Sequence, residues 1–139
     1  MIKKILVPTD ASTYSRNAMA TAVKYAKAFG AEIELLHVVS LPPYGMYDFT
    51  PRHFNDEELA EMGRKIFAAT TKKVDLEGLK VTETIVTGYP AAEIAKAIEK
   101  DVDLVIIGSQ GRRPLAGALL GSVTQRVLAD TRCPVLVVK

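Results

Sequence analysis

Short aliphatic runs alternate with longer helical patterns along this whole chain, and this alternation restricts its possible folds more than any other feature. The aliphatic runs predict five strands, at residues 3–8, 31–39, 79–86, 103–108 and 133–139. Between the runs, apolar residues recur every three or four positions, which predicts helices at 15–30, 55–78, 90–100 and from about Ser122 to Ala129. Successive strand–helix–strand units make right-handed crossovers, and these predict a parallel sheet with helices on both faces.

The composition of two strands predicts the order of the sheet. Residues 103–108 (DLVIIG) are nearly all aliphatic, as in a central strand, whereas residues 79–86 (LKVTETIV) alternate apolar and polar, as in a border strand. If strand 4 returns beside strand 1 after strands 1 to 3 wind outward, the order is 3-2-1-4-5. We therefore expect a single-domain, doubly wound (Rossmann-like) α/β fold over residues 1–139, with a five-stranded parallel sheet.

Helix boundaries and core-facing positions follow from local signals. Gly30 closes the first helical pattern, whose apolar positions are Ala18, Ala22, Tyr25, Ala26 and Phe29. Asn55 followed three residues later by Glu58 resembles a capping box at the start of the second. We expect this second helix to be the longest, with an apolar stripe formed by Leu59, Met62, Ile66 and Ala69.

Composition excludes several functional classes. The net charge is +2 with the basic residues scattered, so no stripe for nucleic acid is predicted. The single cysteine, Cys133, has no partner for an internal disulfide, and no apolar stretch is long enough to span a bilayer. The first ten residues turn polar too early for a signal peptide, so we expect a cytoplasmic protein.

Four residues after strand 4 indicate a site for an anion. The spacing is G-x-x-G, nine residues, then G-S, which places Gly108 and Gly111 in the turn and Gly121 and Ser122 at the next helix start. Glycines let backbone N–H groups approach an anion, and a helix N-terminus favours negative charge. The simpler interpretation is that the glycines only make turns and that Ser122 is an ordinary N-cap. All four fall at the predicted switch point of the sheet, between strands 1 and 4, where such folds bind ligands. We therefore favour a phosphate cradle.

The glycine spacing differs from the two common phosphate-binding motifs, since no Gly-Lys-Ser/Thr occurs and no G-x-G-x-x-G follows strand 1. It resembles the hallmark of the universal stress protein family, in its ATP-binding branch. The similarity extends over the whole chain, through the segments ILVPTDAS, ELLHVV, TGYPAAEI, DLVIIGSQGR, LLGSVTQRVL and CPVLVV. The resemblance implies a protein that binds ATP in a stress response.

The resemblance also implies a set of binding residues. Asp10, with Pro8 and Thr9, would lie beside the ribose and base, and Val38 would pack on the adenine. The residues implied around the ribose and phosphates are Ile107, Gly108, Gly111, Gly121, Ser122 and Val123. Magnesium would be held through the phosphate oxygens, because the sequence supplies no dedicated set of metal ligands.

Other residues near these positions have two readings each. Asp10 also suits a helix N-cap. Arg112, with Arg113, either neutralises phosphates or is a solvated arginine, and we include Arg112 in the predicted site. His37 lies in an apolar strand, which favours a hydrogen-bonded core histidine over a catalytic base. The long loop before the second helix includes Tyr44, Tyr47 and Phe49, which either cover the base or belong to a loop that packs only on itself or on a partner subunit.

The last strand predicts self-association. Its PVLVV run would leave an aliphatic edge with unpaired backbone groups, and pairing with a second copy would satisfy it; the homodimers usual in the family agree. The function we expect is a homodimeric, ATP-dependent sensor or switch that signals to an unidentified protein partner. Two alternatives stay open: a slow magnesium-dependent ATPase or phosphotransferase using Thr9 and Asp10, and a module of the same fold that binds another small ligand or a protein without nucleotide.

Overall fold

A computed structural model describes residues 1–41 and 53–139. In these ranges the chain forms β1 (Lys4–Pro8), α1 (Thr13–Phe29), β2 (Glu32–Ser40), α2 (Asp56–Thr71), β3 (Val81–Gly88), α3 (Pro90–Asp101), β4 (Leu104–Gly108), α4 (Ser122–Asp130) and β5 (Val135–Val138). All strand pairings are parallel, and the order is β3-β2-β1-β4-β5. The predicted fold class and strand order are therefore confirmed.

The sheet is covered on both faces, as a doubly wound fold requires. Alternate residues of β1 serve opposite sides: Ile5 and Val7 pack with α1 and α2, whereas Leu6 packs with α3 and α4. Every residue of β4 is buried, and β3 lies at one border, as the sequence predicted. β1 and β4 are thus buried neighbours in the middle of the sheet, and their carboxyl ends lie side by side.

The first helix is well capped, but its predicted apolar positions are partly wrong. Ser12 accepts a hydrogen bond from the Ser15 N–H, and Gly30 ends the helix in the left-handed conformation at φ 69°. Ala18, Ala22 and Ala26 are buried as predicted, together with Met19 and Val23. Tyr25 and Phe29 instead contact each other on the surface, 38% and 45% exposed. The close approach of α1 to the sheet favours small residues on the inner face, so the two large rings lie outside.

The second helix begins as predicted and ends early. Asn55 and Glu58 form the capping box, but the helix stops at Thr71 and its 16 residues are fewer than the 17 of α1. The Asp75 carboxylate accepts the Glu77 N–H and favours a turn there, and Gly78 follows at φ 79°. The buried positions are Gly63, Phe67 and Thr70. The predicted stripe of Leu59, Met62, Ile66 and Ala69 is only half-buried because the helix is rotated by about one residue.

Candidate functional site

A cleft of about 300 Å³ opens at the carboxyl ends of β1, β2 and β4. This volume is at the small end of the usual range for ligand sites. All the residues that the sequence predicted for the site, except Arg112, line this cleft: Pro8, Thr9, Asp10, Val38, Ile107, Gly108, Gly111, Gly121, Ser122 and Val123. The cleft lies at the switch point of the sheet, where β1 and β4 are neighbours and the chain turns to opposite faces.

Part of the β2 side of the cleft is apolar, although His37 and Ser40 of the same strand also line the cleft. Leu36 and Val38, at the end of β2, pack with Ile94 of α3 in one buried cluster, and Ile107 of β4 continues it. Leu36 and Val38 point to the same face because side chains alternate along a strand. This wall offers an apolar surface against which a purine ring could pack.

Asp10 joins the two loops that border the cleft. Its Oδ1 accepts hydrogen bonds from the Ser12 N–H at 2.9 Å and from Ser15 Oγ at 2.7 Å. Its Oδ2 accepts the N–H of Arg112 at 2.9 Å, across 102 residues of sequence. The helix N-cap is Ser12, so Asp10 does not fill that role. Its carboxylate instead holds the end of β1, the first turn of α1 and the loop after β4 together.

The hydrogen bonds of Asp10 keep its carboxyl group ionised. Burial alone would raise its pKa, but the bonds from Ser12, Ser15 and the Arg112 N–H outweigh burial, so the pKa of Asp10 is lowered below its ordinary value. A carboxylate with this pKa is a poor general base at neutral pH. Asp10 is therefore suited to accepting hydrogen bonds in the cleft and not to activating water.

Thr9 and His37 hold the backbone at the end of β1. The Thr9 hydroxyl is buried and lies 2.7 Å from the hydroxyl of Thr70 on α2, and it also accepts the N–H of Ala11 at 3.0 Å. His37 Nδ1 lies 2.7 Å from the carbonyl of Thr9; a carbonyl only accepts, so Nδ1 carries the proton. These bonds support Ala11, which takes a left-handed φ of 62° that non-glycine residues rarely adopt. The expected hydrogen bond of His37 is present, but the residue is half-buried and lines the cleft instead of lying in the core.

The first two glycines are required by close packing. A Cβ added at Gly108 would lie 2.8 Å from the backbone carbon of Tyr14, and one at Gly111 would lie 2.7 Å from Asp10 Oδ2. Gly108 and Gly111 both have a negative or extended φ, so backbone conformation does not require glycine at either position. Gly108 thus lets α1 approach β4, and Gly111 lets the loop after β4 meet Asp10.

Gly121 is packed too tightly to be a simple blocking position. Its N–H donates to Ser109 O at 2.7 Å, and an added Cβ would lie 3.0 Å from Gln110 Oε1. A valine at this position would press on the Gln110 amide as well as on a phosphate, so Gly121→Val would not test phosphate binding alone.

The first residues of α4 line the cleft and carry backbone donors that the helix itself does not pair. Gly121 is the N-cap and no side chain caps the helix, so Ser122 is the first helical residue and not the N-cap. The N–H groups of Ser122 and Val123 have no carbonyl four residues earlier within the helix, and both residues line the cleft. These donors and the helix dipole together favour an anion at this end of the cleft.

The two arginines of the loop have different positions. Arg112 Nε donates to the backbone carbonyl of Asp10 at 2.6 Å, and the residue does not line the cleft; Arg113 does line it. The inclusion of Arg112 among the ligand-contacting residues is therefore not supported by the geometry, because its guanidinium is held against the end of β1. Sequence alone gives no means to separate two adjacent arginines.

Three buried polar residues that line the cleft were missed by the sequence prediction: Ser15, which bonds Asp10, and also Gln110 and Thr124. Gln110 is 8% exposed; its Nε2 donates to Ala118 O at 2.9 Å and its Oε1 accepts the Leu115 N–H at 3.2 Å. Thr124, 3% exposed, donates from Oγ1 to Gly108 O at 2.8 Å and ties α4 to the end of β4. The only signal for Gln110 or Thr124 in the sequence is a polar residue inside the glycine motif or on the inner face of a short helix.

Metal-binding groups are sparse in the described parts of the chain. Within residues 1–41 and 53–139, no three His, Cys, Asp or Glu side chains are grouped closely enough to hold a metal ion. Asp10 is the one acid among the described residues that line the cleft, and both its oxygens accept hydrogen bonds. A Mg²⁺ ion here would depend on oxygens from a ligand and from water. In the same ranges, no helix is both long and apolar enough to cross a membrane.

A model of the family described as "Universal stress protein family" matches residues 1–139. The chain belongs to this family. Universal stress protein MJ0531 of Methanocaldococcus jannaschii is 37% identical over 141 residues, covering 100% of this chain and 83% of its own length. Universal stress protein YxiE of Bacillus subtilis is 36% identical over 148 residues and both chains are covered completely.

Solved structures of universal stress proteins share the fold. The structure of MJ0577, from Methanocaldococcus jannaschii, matches with a TM-score of 0.73 at 34% identity and covers 100% of this chain and 96% of that one. A universal stress protein in complex with cAMP matches with a TM-score of 0.68 at 24% identity, covering 99% of this chain and 97% of its own. One from Archaeoglobus fulgidus in complex with dAMP matches with a TM-score of 0.64 at 22% identity, covering 100% and 98%. The doubly wound fold is thus that of the family, and some of its members hold nucleotides.

One part of the predicted site lies outside the described residues. The aromatic residues Tyr44, Tyr47 and Phe49, considered as a cover for the base, fall in the segment 42–52. Their part in the site stays a prediction.

Proposed function

We propose that this protein is a stress-response protein that binds ATP in the cleft and works as a nucleotide-dependent sensor or switch. One observation carries the proposal. At the switch point, Ser122 and Val123, whose N–H groups have no acceptor within α4, line the same cleft as an apolar wall built on Val38. A ligand with an apolar ring at one end and an anion at the other matches this cleft, and an adenine nucleotide has that form.

The nucleotide complexes of the relatives support adenine. One universal stress protein was solved with cAMP and another with dAMP, and both ligands join adenine to a phosphate. In this chain the phosphates would meet Arg113, Gly111 and the N-terminus of α4, and the adenine would pack on Val38. Mg²⁺ would be held by phosphate oxygens and water and would neutralise their charge.

The enzymatic alternative loses support at the two residues assigned to it. Both oxygens of Asp10 accept hydrogen bonds, and its pKa is lowered, although burial opposes this, by the bonds from Ser12, Ser15 and Arg112. The Thr9 hydroxyl is buried against Thr70. Fast phosphoryl transfer needs a group that positions or deprotonates the nucleophile. Since the lowered pKa makes Asp10 a weak base and the Thr9 hydroxyl is held against Thr70, binding without dedicated turnover is the better proposal.

Self-association forms a further part of the proposal. β5 lies at the edge of the sheet and all four of its residues are half-buried. A two-fold pairing of this edge with a second copy would cover these aliphatic side chains and satisfy the outward backbone groups. We propose a cytoplasmic homodimer in which nucleotide occupancy is passed to a protein partner.

The direct test is to identify what the protein carries. The full chain is purified without added nucleotide and denatured, and the released small molecule is identified by mass spectrometry; Mg-ATP is then added to the native protein and phosphate release is followed. ATP recovered intact with negligible release supports the sensor. ADP with metal-dependent release moves the ATPase alternative to first place. No nucleotide, with none bound on titration, contradicts the proposal.

A backbone substitution tests the anion end of the cleft. Proline is tolerated at the first position of a helix, and Gly121 has an extended ψ of 166°, so Ser122→Pro removes one N–H donor at little cost to the helix. The matched control is Thr13→Pro at the first position of α1, where the preceding Ser12 has ψ 164° and the residue does not line the cleft. We expect weaker ATP binding only in Ser122→Pro, with Ser122→Ala separating the hydroxyl from the N–H. Equal ATP affinity in both proline variants would contradict the cradle.

A further inference from the structure

Gln110 organises the loop that connects the two halves of the glycine motif. The loop runs from residue 111 to residue 120, and residues 112–119 are exposed, so packing contributes little to its shape. The Gln110 side chain lies beneath it, 8% exposed, and bonds the backbone at two separate points, Leu115 N–H and Ala118 O. Among the side chains described, it is the one that reaches the middle of the loop with both ends of its amide.

The orientation of the amide follows from its two partners. A backbone N–H requires an acceptor and a backbone carbonyl requires a donor, so Oε1 must face Leu115 and Nε2 must face Ala118. The reversed amide would place Nε2 against the Leu115 N–H, which are both donors, and Oε1 against Ala118 O, which are both acceptors. The side chain thus holds the loop in one geometry.

The loop carries the groups proposed to meet the phosphates. Gly111 and Arg113 lie near its start, and Gly121 with Ser122 follows its end. Gly121 packs on Gln110 itself, since an added Cβ would lie 3.0 Å from Oε1, and its N–H donates to Ser109 O. One buried side chain therefore contacts the middle and the end of the loop and lines the cleft beneath it.

We propose that Gln110 is a positioning residue for phosphate binding. Its amide holds the loop of residues 111–120 so that Arg113 and the N–H groups of α4 converge on one anion. The inference rests on the proposed function, and it assigns the recognition of the phosphates, as distinct from the nucleoside, to a side chain that acts through the loop.

The test separates the two parts of the ligand. Calorimetry measures the affinity of the full chain for Mg-ATP and for adenosine, in wild type and in two variants, Gln110→Met and Gln110→Glu. The methionine keeps the length and loses both hydrogen bonds; the carboxylate keeps the Leu115 bond and places an acceptor against Ala118 O. The matched control is Gln125→Met, because Gln125 Nε2 also donates to the loop, at Leu120 O, but from an exposed position.

We expect both Gln110 variants to lose about tenfold in Mg-ATP affinity, comparable to one charge-assisted hydrogen bond, while adenosine affinity stays within about twofold. Gln125→Met should match wild type for both ligands. Unchanged Mg-ATP affinity in the Gln110 variants overturns the inference, and so does a parallel loss of adenosine, which would make Gln110 a general structural residue of the cleft. Wild-type protein that binds neither ligand overturns the proposed function itself, a result distinct from both.

Discussion

Replacing Asp10 by alanine should reveal how strongly the two loops beside the cleft are held together. The change removes a carboxylate that accepts three hydrogen bonds, at 2.9 Å from Ser12 N–H, 2.7 Å from Ser15 Oγ and 2.9 Å from Arg112 N–H. The loop after β4 thereby loses the bond from the Arg112 N–H and keeps the bond from Arg112 Nε to the backbone carbonyl of residue 10. We expect a loss of stability larger than a surface carboxylate would cause.

The size of the loss follows from these bonds. A hydrogen bond to a charged group contributes about 1.5–3 kcal/mol. Asp10 is only half-buried, Ser15 Oγ keeps Ser12 Oγ as a partner at 3.1 Å, and Arg112 is exposed and its N–H gains water. The sum is therefore well below three full bonds, and we expect the free energy of unfolding to fall by about 2–3 kcal/mol, or Tm by about 6–10 °C.

The effect should depend on pH with a definite sign. The folded-state pKa of Asp10 is lowered because its hydrogen bonds outweigh burial, so its contribution is present above the unfolded pKa of about 4 and is lost as the pH falls through the folded value. Wild type and Asp10→Ala should therefore converge in stability at acid pH.

Urea unfolding at pH 7 and across the acid range measures both effects. The matched control is Asp75→Ala, since Asp75 also accepts a backbone N–H in a turn and pairs with Lys27 but is 70% exposed. Its loss should be clearly smaller. A change below about 0.5 kcal/mol for Asp10→Ala at pH 7, the range of ordinary surface substitutions, would refute the account of Asp10 as the link between the loops.

Three further predictions test separate parts of the structure. Arg113→Gln should weaken Mg-ATP binding about tenfold, because Arg113 lines the cleft. Arg112→Gln loses only its bond to the Asp10 carbonyl, so its Mg-ATP affinity should stay within about twofold of wild type. Calorimetry at fixed salt measures both affinities, and equal losses would contradict the assignment of Arg113, and not Arg112, to the phosphates. Gly108→Ala should cost about 1–3 kcal/mol in urea unfolding because its Cβ would meet the Tyr14 backbone at 2.8 Å. Gly88→Ala should cost less, since the obstacle there is the flexible Glu93 side chain at 2.8 Å, and the reverse ranking would be inconsistent with this packing. If β5 pairs with a second copy, sedimentation at micromolar concentration should show a dimer. A monomer at that concentration would contradict the proposed homodimer.

The architecture was predictable because it depends on patterns that local residues carry themselves. The aliphatic run of β4 and the alternation of β3 decide which strand is central and which lies at the border, and the order of a parallel sheet follows from crossover rules. The position of the cleft then follows from the strand order. Chain-level regularities of this kind need no knowledge of side-chain contacts.

What the sequence could not supply are contacts between distant segments. Gly108 looked like a turn residue, but its need for glycine comes from Tyr14 on α1, and that of Gly111 from Asp10. The helical period gave the buried stripe of α2 only approximately, because the sheet beneath the helix decides which face is buried. At Gly63 on this face, an added Cβ would lie 3.2 Å from Phe67 of the same helix and 3.4 Å from Ile85 of β3. The Gln110 amide forms hydrogen bonds with backbone atoms five and eight residues later, and the residue types of the loop do not indicate these bonds.

The most direct test of the central claim is a titration of the full chain with Mg-ATP followed by backbone amide NMR, with adenosine as the reference ligand. If phosphates bind at the N-terminus of α4, the amides of Gly111, Ser122 and Val123 should shift strongly with Mg-ATP and much less with adenosine, while Val38 should shift with both. Shifts confined to residues away from the carboxyl ends of β1 and β4, or no difference between the two ligands at Ser122 and Val123, would contradict the account.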